Sequence, residues 1–172
     1  MKIVLVGYMA SGKSTIGRLL AKKMELRFID LDDYIEKKEG KSISDIFKIN
    51  GEIYFRKKEH FYLKELLNLE DDFILALGGG TPCYAGNMHL INENKSVRSI
   101  YLRLKIPTLV DRLINEKSKR PLVAELKNTD IPEYIAKHLF ERSFYYNQSV
   151  IIVGSDNKTV EETITEIYEL LC

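Results

Sequence analysis

Cysteine is scarce: Cys83 and Cys172 are the only two in 172 residues, too few and too far apart for a disulfide scaffold, and they read as reduced thiols. Histidine is also sparse. His60, His89 and His138 stand in no ligand spacing, which argues against a structural zinc site. No apolar run approaches the ~20 residues of a membrane-spanning helix. Met1-Lys2 runs straight into a strand-like stretch with no room for a signal peptide, so a cytoplasmic location is expected. Excess charge of one sign is missing as well: 26 Lys and Arg face 25 Asp and Glu, and the resulting +1 gives no bulk reason to expect nucleic acid or a membrane as partner. There is no internal repeat and no low-complexity tract. What is present is a chain with 45% hydrophobic residues, long enough for one core and short for two, and residues 1–172 are expected to form a single domain.

Short apolar runs alternate with helix-length segments. Ile3–Val6, Phe28–Ile29, Phe73–Leu77, Ser99–Leu102 and Val150–Val153 read as buried strands. Between them the periodicity predicts helices over 13–24, 31–39, 42–68 with Gly51 as the place for a break, 88–94, 107–116, 131–147 and 160–171. This is the βαβ pattern of an α/β protein, a parallel sheet with helices on both faces. Residues 115–129 (NEKSKRPLVAELKNT) are rich in charge, interrupted by Pro121 and without sustained periodicity, so they read as a mobile flap.

The first loop carries the most specific signal. GYMASGKS (Gly7–Ser14) fits G-x-x-x-x-G-K-[ST], with a strand before it and a helix after it, as that motif requires. Glycines let such a loop wrap closely, its backbone N–H groups turn inward, and the positive end of the following helix adds to the attraction for phosphate. Ala10, Ser11, Gly12, Lys13, Ser14 and Thr15 are therefore the nucleotide-binding candidates, with Lys13 reaching the β- and γ-phosphates and the Ser14 hydroxyl ligating Mg²⁺.

A nucleotide switch and a phosphotransferase share that loop. The switch would need D-x-x-G and N-K-x-D, and neither occurs: Asn94-Lys95 and Asn157-Lys158 both lack the Asp, and no Asp has Gly three residues later. A kinase needs groups that position an acceptor hydroxyl and neutralise moving charge. The strand ending ILALGGG has no carboxylate at its tip, so acidic support for the metal is expected from FIDLDD (Phe28–Asp33), at the carboxyl edge where ligands of open α/β sheets collect. Asp30 and Asp32 can divide the work between Mg²⁺ and a substrate hydroxyl, and Asp33 reads as a first-turn helix acid. Gly78, Gly79 and Gly80 follow a buried strand and suggest a wall that a substrate approaches closely. Arg56 and Arg142, beside aromatics on amphipathic helices, offer planar forks for a carboxylate, and Arg120, before Pro121 in the flap, can act as a charge-stabilising finger.

With these residues in place the chain resembles the shikimate kinase family over nearly its whole length. The match runs through GYMASGKSTIGRLLA, FIDLDDYIEKKEGKSISDIFKINGEIYFRKKE, LALGGG, KRPL and the Glu141-Arg142 pair, in the family's order and spacing. The resemblance implies a three-layer P-loop NTPase fold with a five-stranded parallel sheet, helices on both faces and a mobile lid at about 115–129. It implies ATP-dependent phosphorylation of the 3-hydroxyl of shikimate. It assigns Asp32 to the substrate hydroxyls as base or orienting group, Arg56, Arg142 and the Gly79-Gly80 backbone to the substrate, and Asp30 to Mg²⁺ through water. Arg120 becomes the lid arginine and Arg112 lies by the adenine, so that ATP, Mg²⁺ and small-molecule substrates are the implied ligands of a monomer. The chain departs from the family's usual pattern at Ala10, where Gly is common, at Thr81-Pro82 after the triple glycine, and at Val153-Gly154-Ser155 near the adenine. A kinase for another hydroxy acid such as gluconate, or a regulatory nucleotide-binding domain without catalysis, are the alternatives.

Overall fold

The computed structural model describes residues 1–119 and 121–172, with side chains outside 119–122. Five parallel strands, β1 (Lys2–Val6), β2 (Arg27–Asp30), β3 (Phe73–Ala76), β4 (Val97–Arg103) and β5 (Ile151–Gly154), lie in the order β2-β3-β1-β4-β5. Because successive side chains of β1 point to opposite faces, Val4 and Val6 enter one core while Ile3 and Leu5 enter another. The second core is closed by α1 (Lys13–Met24), through Ile16, Leu20 and Ala21, and by α9 (Val160–Leu171), through Ile164 and Ile167. The first is closed by α2 (Leu31–Glu39), α3 (Ile43–Asn50), α4 (Glu52–Leu67), α5 (Asn87–Glu93), α6 (Ile106–Glu116) and α8 (Ile131–Tyr146). Three layers result, as the alternating pattern predicts, and the continuous apolar strands follow from a sheet covered on both faces.

Local chemistry sets the element ends. Asp30 caps α2 by accepting from the Asp32 N–H, and Lys37 and Lys38 in its last turn suit the negative end of the dipole. The predicted 42–68 helix divides at Gly51, whose φ of 84° no helix accommodates, into α3 and α4. α1 packs close to the sheet because Gly17 has no side chain: a Cβ there would meet the Phe28 ring at 2.4 Å. β5 starts one residue later than the apolar run suggests, since Val150 is exposed before the pairing begins. The segment read as a flap without periodicity holds a 3₁₀ turn at Lys117–Lys119 and a short helix α7 (Pro121–Ala124). A further 3₁₀ turn, Thr81–Cys83, follows the triple glycine and was not legible in the pattern. No helix among the described residues is long and apolar enough to cross a membrane.

Candidate active site

The loop between β1 and α1 is already shaped as an anion cradle. Gly12 and Ala10 both adopt left-handed backbone, with φ of 92° and 62°. Glycine does this without strain, whereas Ala10 takes it up at a cost of about 1–2 kcal/mol. The first helical bond runs from the Ile16 N–H to the Gly12 carbonyl, so the N–H groups at the start of α1 have no partner inside the helix. Lys13 folds back over the loop, its Nζ donating to the carbonyls of Gly7 at 2.8 Å and Tyr8 at 2.9 Å. Its charge is thereby held beside the cradle before any phosphate arrives. Thr15 lies exposed on the helix's first turn. From α6, Arg112 Nη1 donates to the Ala10 carbonyl at 3.1 Å, and Arg112 flanks the loop on the β4 side.

Asp30, at the end of β2, uses both of its carboxylate oxygens. One oxygen caps α2, and the other accepts from the Ser14 hydroxyl at 2.8 Å. Two hard oxygen donors thus meet at the mouth of the loop, while no group of three or more His, Cys, Asp or Glu positioned for a metal exists among the described residues. That donor set fits Mg²⁺, which keeps waters and substrate phosphates as most of its ligands. Asp33, as expected of a first-turn acid, is exposed.

Asp32 is the second residue of α2, in its first turn. Loss of solvent pushes its carboxyl up to about 7, the neighbouring Asp30 and Glu59 charges add to the rise, and Lys13 opposes it. A carboxylate tuned toward neutrality suits proton acceptance from a hydroxyl.

The triple glycine explains itself through what faces it. A Cβ on Gly78 would lie 3.3 Å from Asp32 Oδ1, one on Gly79 would lie 3.4 Å from Arg142 Nη1, and one on Gly80 would lie 2.7 Å from Arg56 Nη2. Each glycine therefore faces a different one of the three side chains singled out for the acceptor. The same Gly79 Cβ position is 3.5 Å from the Met9 nitrogen, so this wall abuts the phosphate loop. Its backbone is fixed by the Tyr146 hydroxyl, which donates to the Gly79 carbonyl at 2.5 Å. Arg56 lies over the Tyr84 ring at 4.1 Å and donates to buried Glu59 at 2.9 Å, while Arg142 lies 5.8 Å from the Tyr8 ring centroid. Sequence reasoning missed Glu59, Tyr84 and Tyr146. The i, i+3 spacing of Arg56 and Glu59 was a usable signal, but the rings come from distant elements. Arg120 lies outside the described residues.

Comparison with known proteins follows this geometry. The family model for shikimate kinase matches residues 9–172. A shikimate kinase from Flavobacterium johnsoniae is 51% identical over 170 residues, covering 99% of this chain and 98% of the relative. The 1.7 Å crystal structure of shikimate kinase from Bacteroides thetaiotaomicron superposes with a TM-score of 0.92 at 31% identity, over 99% of this chain and 98% of that one. Shikimate kinase from Acinetobacter baumannii, solved in complex with shikimate, gives a TM-score of 0.86 at 29% identity over 99% and 92% of the two chains.

Proposed function

The chain belongs to the shikimate kinase family, and from that premise we propose how its residues transfer the γ-phosphoryl group of ATP to the 3-hydroxyl of shikimate, giving shikimate 3-phosphate and ADP. The observation that carries the reading is the triple-glycine wall, where Asp32, Arg142 and Arg56 face Gly78, Gly79 and Gly80 directly beside the phosphate loop.

In this reading the N–H groups of Ala10, Ser11, Gly12, Lys13, Ser14 and Thr15 surround the phosphates, and Lys13 turns from its loop carbonyls to the β- and γ-oxygens. Arg112 contacts the adenine end. Ser14 and Asp30 would hold Mg²⁺, Asp30 through water; when bound, that ion neutralises charge on the phosphate oxygens. Arg56 and Arg142 take the substrate carboxylate, because two cations on a narrow glycine floor match a planar anion. Asp32 accepts the proton from the attacking hydroxyl, or orients it, as the loose transition state demands little base strength. Residues 115–129 close as a lid and bring Arg120 over the transferring group. Residues 1–172 act as one domain, in a cytoplasmic monomer.

Purified protein with ATP and Mg²⁺ should release ADP when shikimate is added, and far less with gluconate or no acceptor. Release with gluconate alone would keep the phosphate chemistry and overturn the arginine assignment. Light scattering tests the monomer.

A further inference from the structure

Glu59 is 1% exposed, and its two oxygens are shared between two partners. Oε1 accepts from Arg56 Nη1 at 2.9 Å, and Oε2 accepts from the hydroxyl of fully buried Thr81 at 2.7 Å. A buried carboxylate needs both oxygens satisfied, so Thr81 fixes the plane of the group that in turn holds the guanidinium. Thr81 is itself anchored. Its carbonyl accepts from Asn87 Nδ2 at 2.9 Å, and Asn87 Oδ1 lies 2.6 Å from His60 Nδ1. Since the Asn87 nitrogen is committed as a donor to that carbonyl, its oxygen is the acceptor, which assigns the Nδ1 proton to His60. The hydrogen bonds start on α4 at Arg56 and Glu59, cross to the turn after the triple glycine, pass through α5, and return to α4 at His60. The turn that carries Gly80 is thus tied to the helix that carries Arg56 by a closed circuit.

We propose that Thr81 is a positioning residue for the acceptor substrate: through Glu59 its hydroxyl sets the Arg56 guanidinium over Gly80, leaving Nη2 turned toward the carboxylate. The inference rests on the reading that Arg56 holds that carboxylate. An arginine side chain loses considerable rotamer freedom when it is fixed, so fixing it before the substrate arrives lowers the cost of binding. The effect belongs to the acceptor and not to the nucleotide.

Thr81→Val keeps the shape and deletes the donor. It is expected to raise the KM for shikimate about tenfold, the scale of a lost hydrogen bond to a charged group. The KM for ATP should stay within about twofold of wild type, and Thr81→Ser should restore the shikimate KM, neither of which a general loss of stability would produce. Should Thr81→Val not fold, Thr81→Ala removes the same donor without added bulk and is expected to show the same selective rise. A shikimate KM equal to wild type in whichever variant folds, or equal rises for shikimate and ATP, overturns the proposal. Arg56→Lys measured alongside separates the two levels. A rise there with none at Thr81 rejects the Thr81 role alone, whereas no rise in Arg56→Lys rejects the carboxylate reading beneath it.

Discussion

Asp32 destabilises the resting protein by the same placement that suits it to chemistry. Its folded carboxyl is pushed up to about 7 from 3.8, chiefly by lost solvent and then by Asp30 and Glu59. The unfolded chain releases this proton more readily, so stability falls as pH rises from about 4 to about 7 and stays lower above that range. Asp32→Asn keeps the shape without the charge. Turnover should drop by about 10²-fold or more, the usual scale for a lost general base. Urea unfolding of the metal-free variant should show a protein at least as stable as wild type at pH 8, with the advantage fading toward pH 4. Near-wild-type kcat would reject the catalytic role. Gly80 provides the complementary test. Its φ of −88° and ψ of −20° suit alanine, yet the new Cβ would stand 2.7 Å from Arg56 Nη2. The clash is with the end of a side chain and not with backbone, so the guanidinium must be pushed from the position Glu59 holds it in. Gly80→Ala should therefore fold normally and raise the shikimate KM about tenfold by displacing one carboxylate partner. An unchanged KM in steady-state assays would place the carboxylate elsewhere.

Asp32 and Arg56 stand on α2 and α4, and these two helices are fastened together. Glu39, at the end of α2, accepts from the hydroxyls of Tyr62 at 2.6 Å and Tyr54 at 2.7 Å and lies 3.1 Å from Lys58 Nζ. Those bonds, led by the Tyr62 and Tyr54 hydroxyls, pull its carboxyl from 4.5 down to about 2. A depressed folded value means stabilisation that is complete above the unfolded value and is lost as pH falls through the folded one. Glu39→Gln should cost about 1–2 kcal/mol at pH 7, less than a fully buried charged hydrogen bond because the cluster borders solvent. It should also flatten the loss of stability between pH 4.5 and 2, which acid titration followed by circular dichroism would show. Elements of this kind were largely legible in the sequence. The β1-loop-α1 unit announces itself through spacing alone, and Gly51 marks the break between α3 and α4. Asp30, Asp32 and the triple glycine were found because they sit at strand ends. What periodicity cannot supply is the partner across the fold: Tyr146 reaches Gly79 from 67 residues away, and Glu59 meets Thr81 across 22. Such contacts depend on how helices cross the sheet, which no local window encodes.

Across the whole molecule, strand order separates the two halves of the site. β1 occupies the centre of the sheet and delivers the phosphate loop, while β3 and β2 beside it deliver the glycine wall and the two aspartates. Arg112 approaches the loop from the other side, on the helix after β4. In the proposed reading, nucleotide and acceptor sit side by side along the carboxyl edge, held by different side chains. Each ligand should then stabilise the fold on its own account. A ligand at 100 times its Kd adds about 2.7 kcal/mol, and in a chain of this size each kcal/mol raises Tm by about 2–4 °C, so each should raise Tm by about 5–10 °C. The Gly80→Ala protein, binding shikimate about tenfold more weakly, should keep only about half of the shikimate-induced rise at the same concentration and all of the rise from ATP with Mg²⁺. Lys13→Met should do the reverse, losing the nucleotide's contribution and keeping the acceptor's. Scanning calorimetry of the two variants with each ligand alone resolves the four combinations. If either substitution reduced both rises in equal proportion, the two ligands would be sharing one set of contacts, and the division of the edge between β1 and its β2-β3 neighbours would not describe how the site binds.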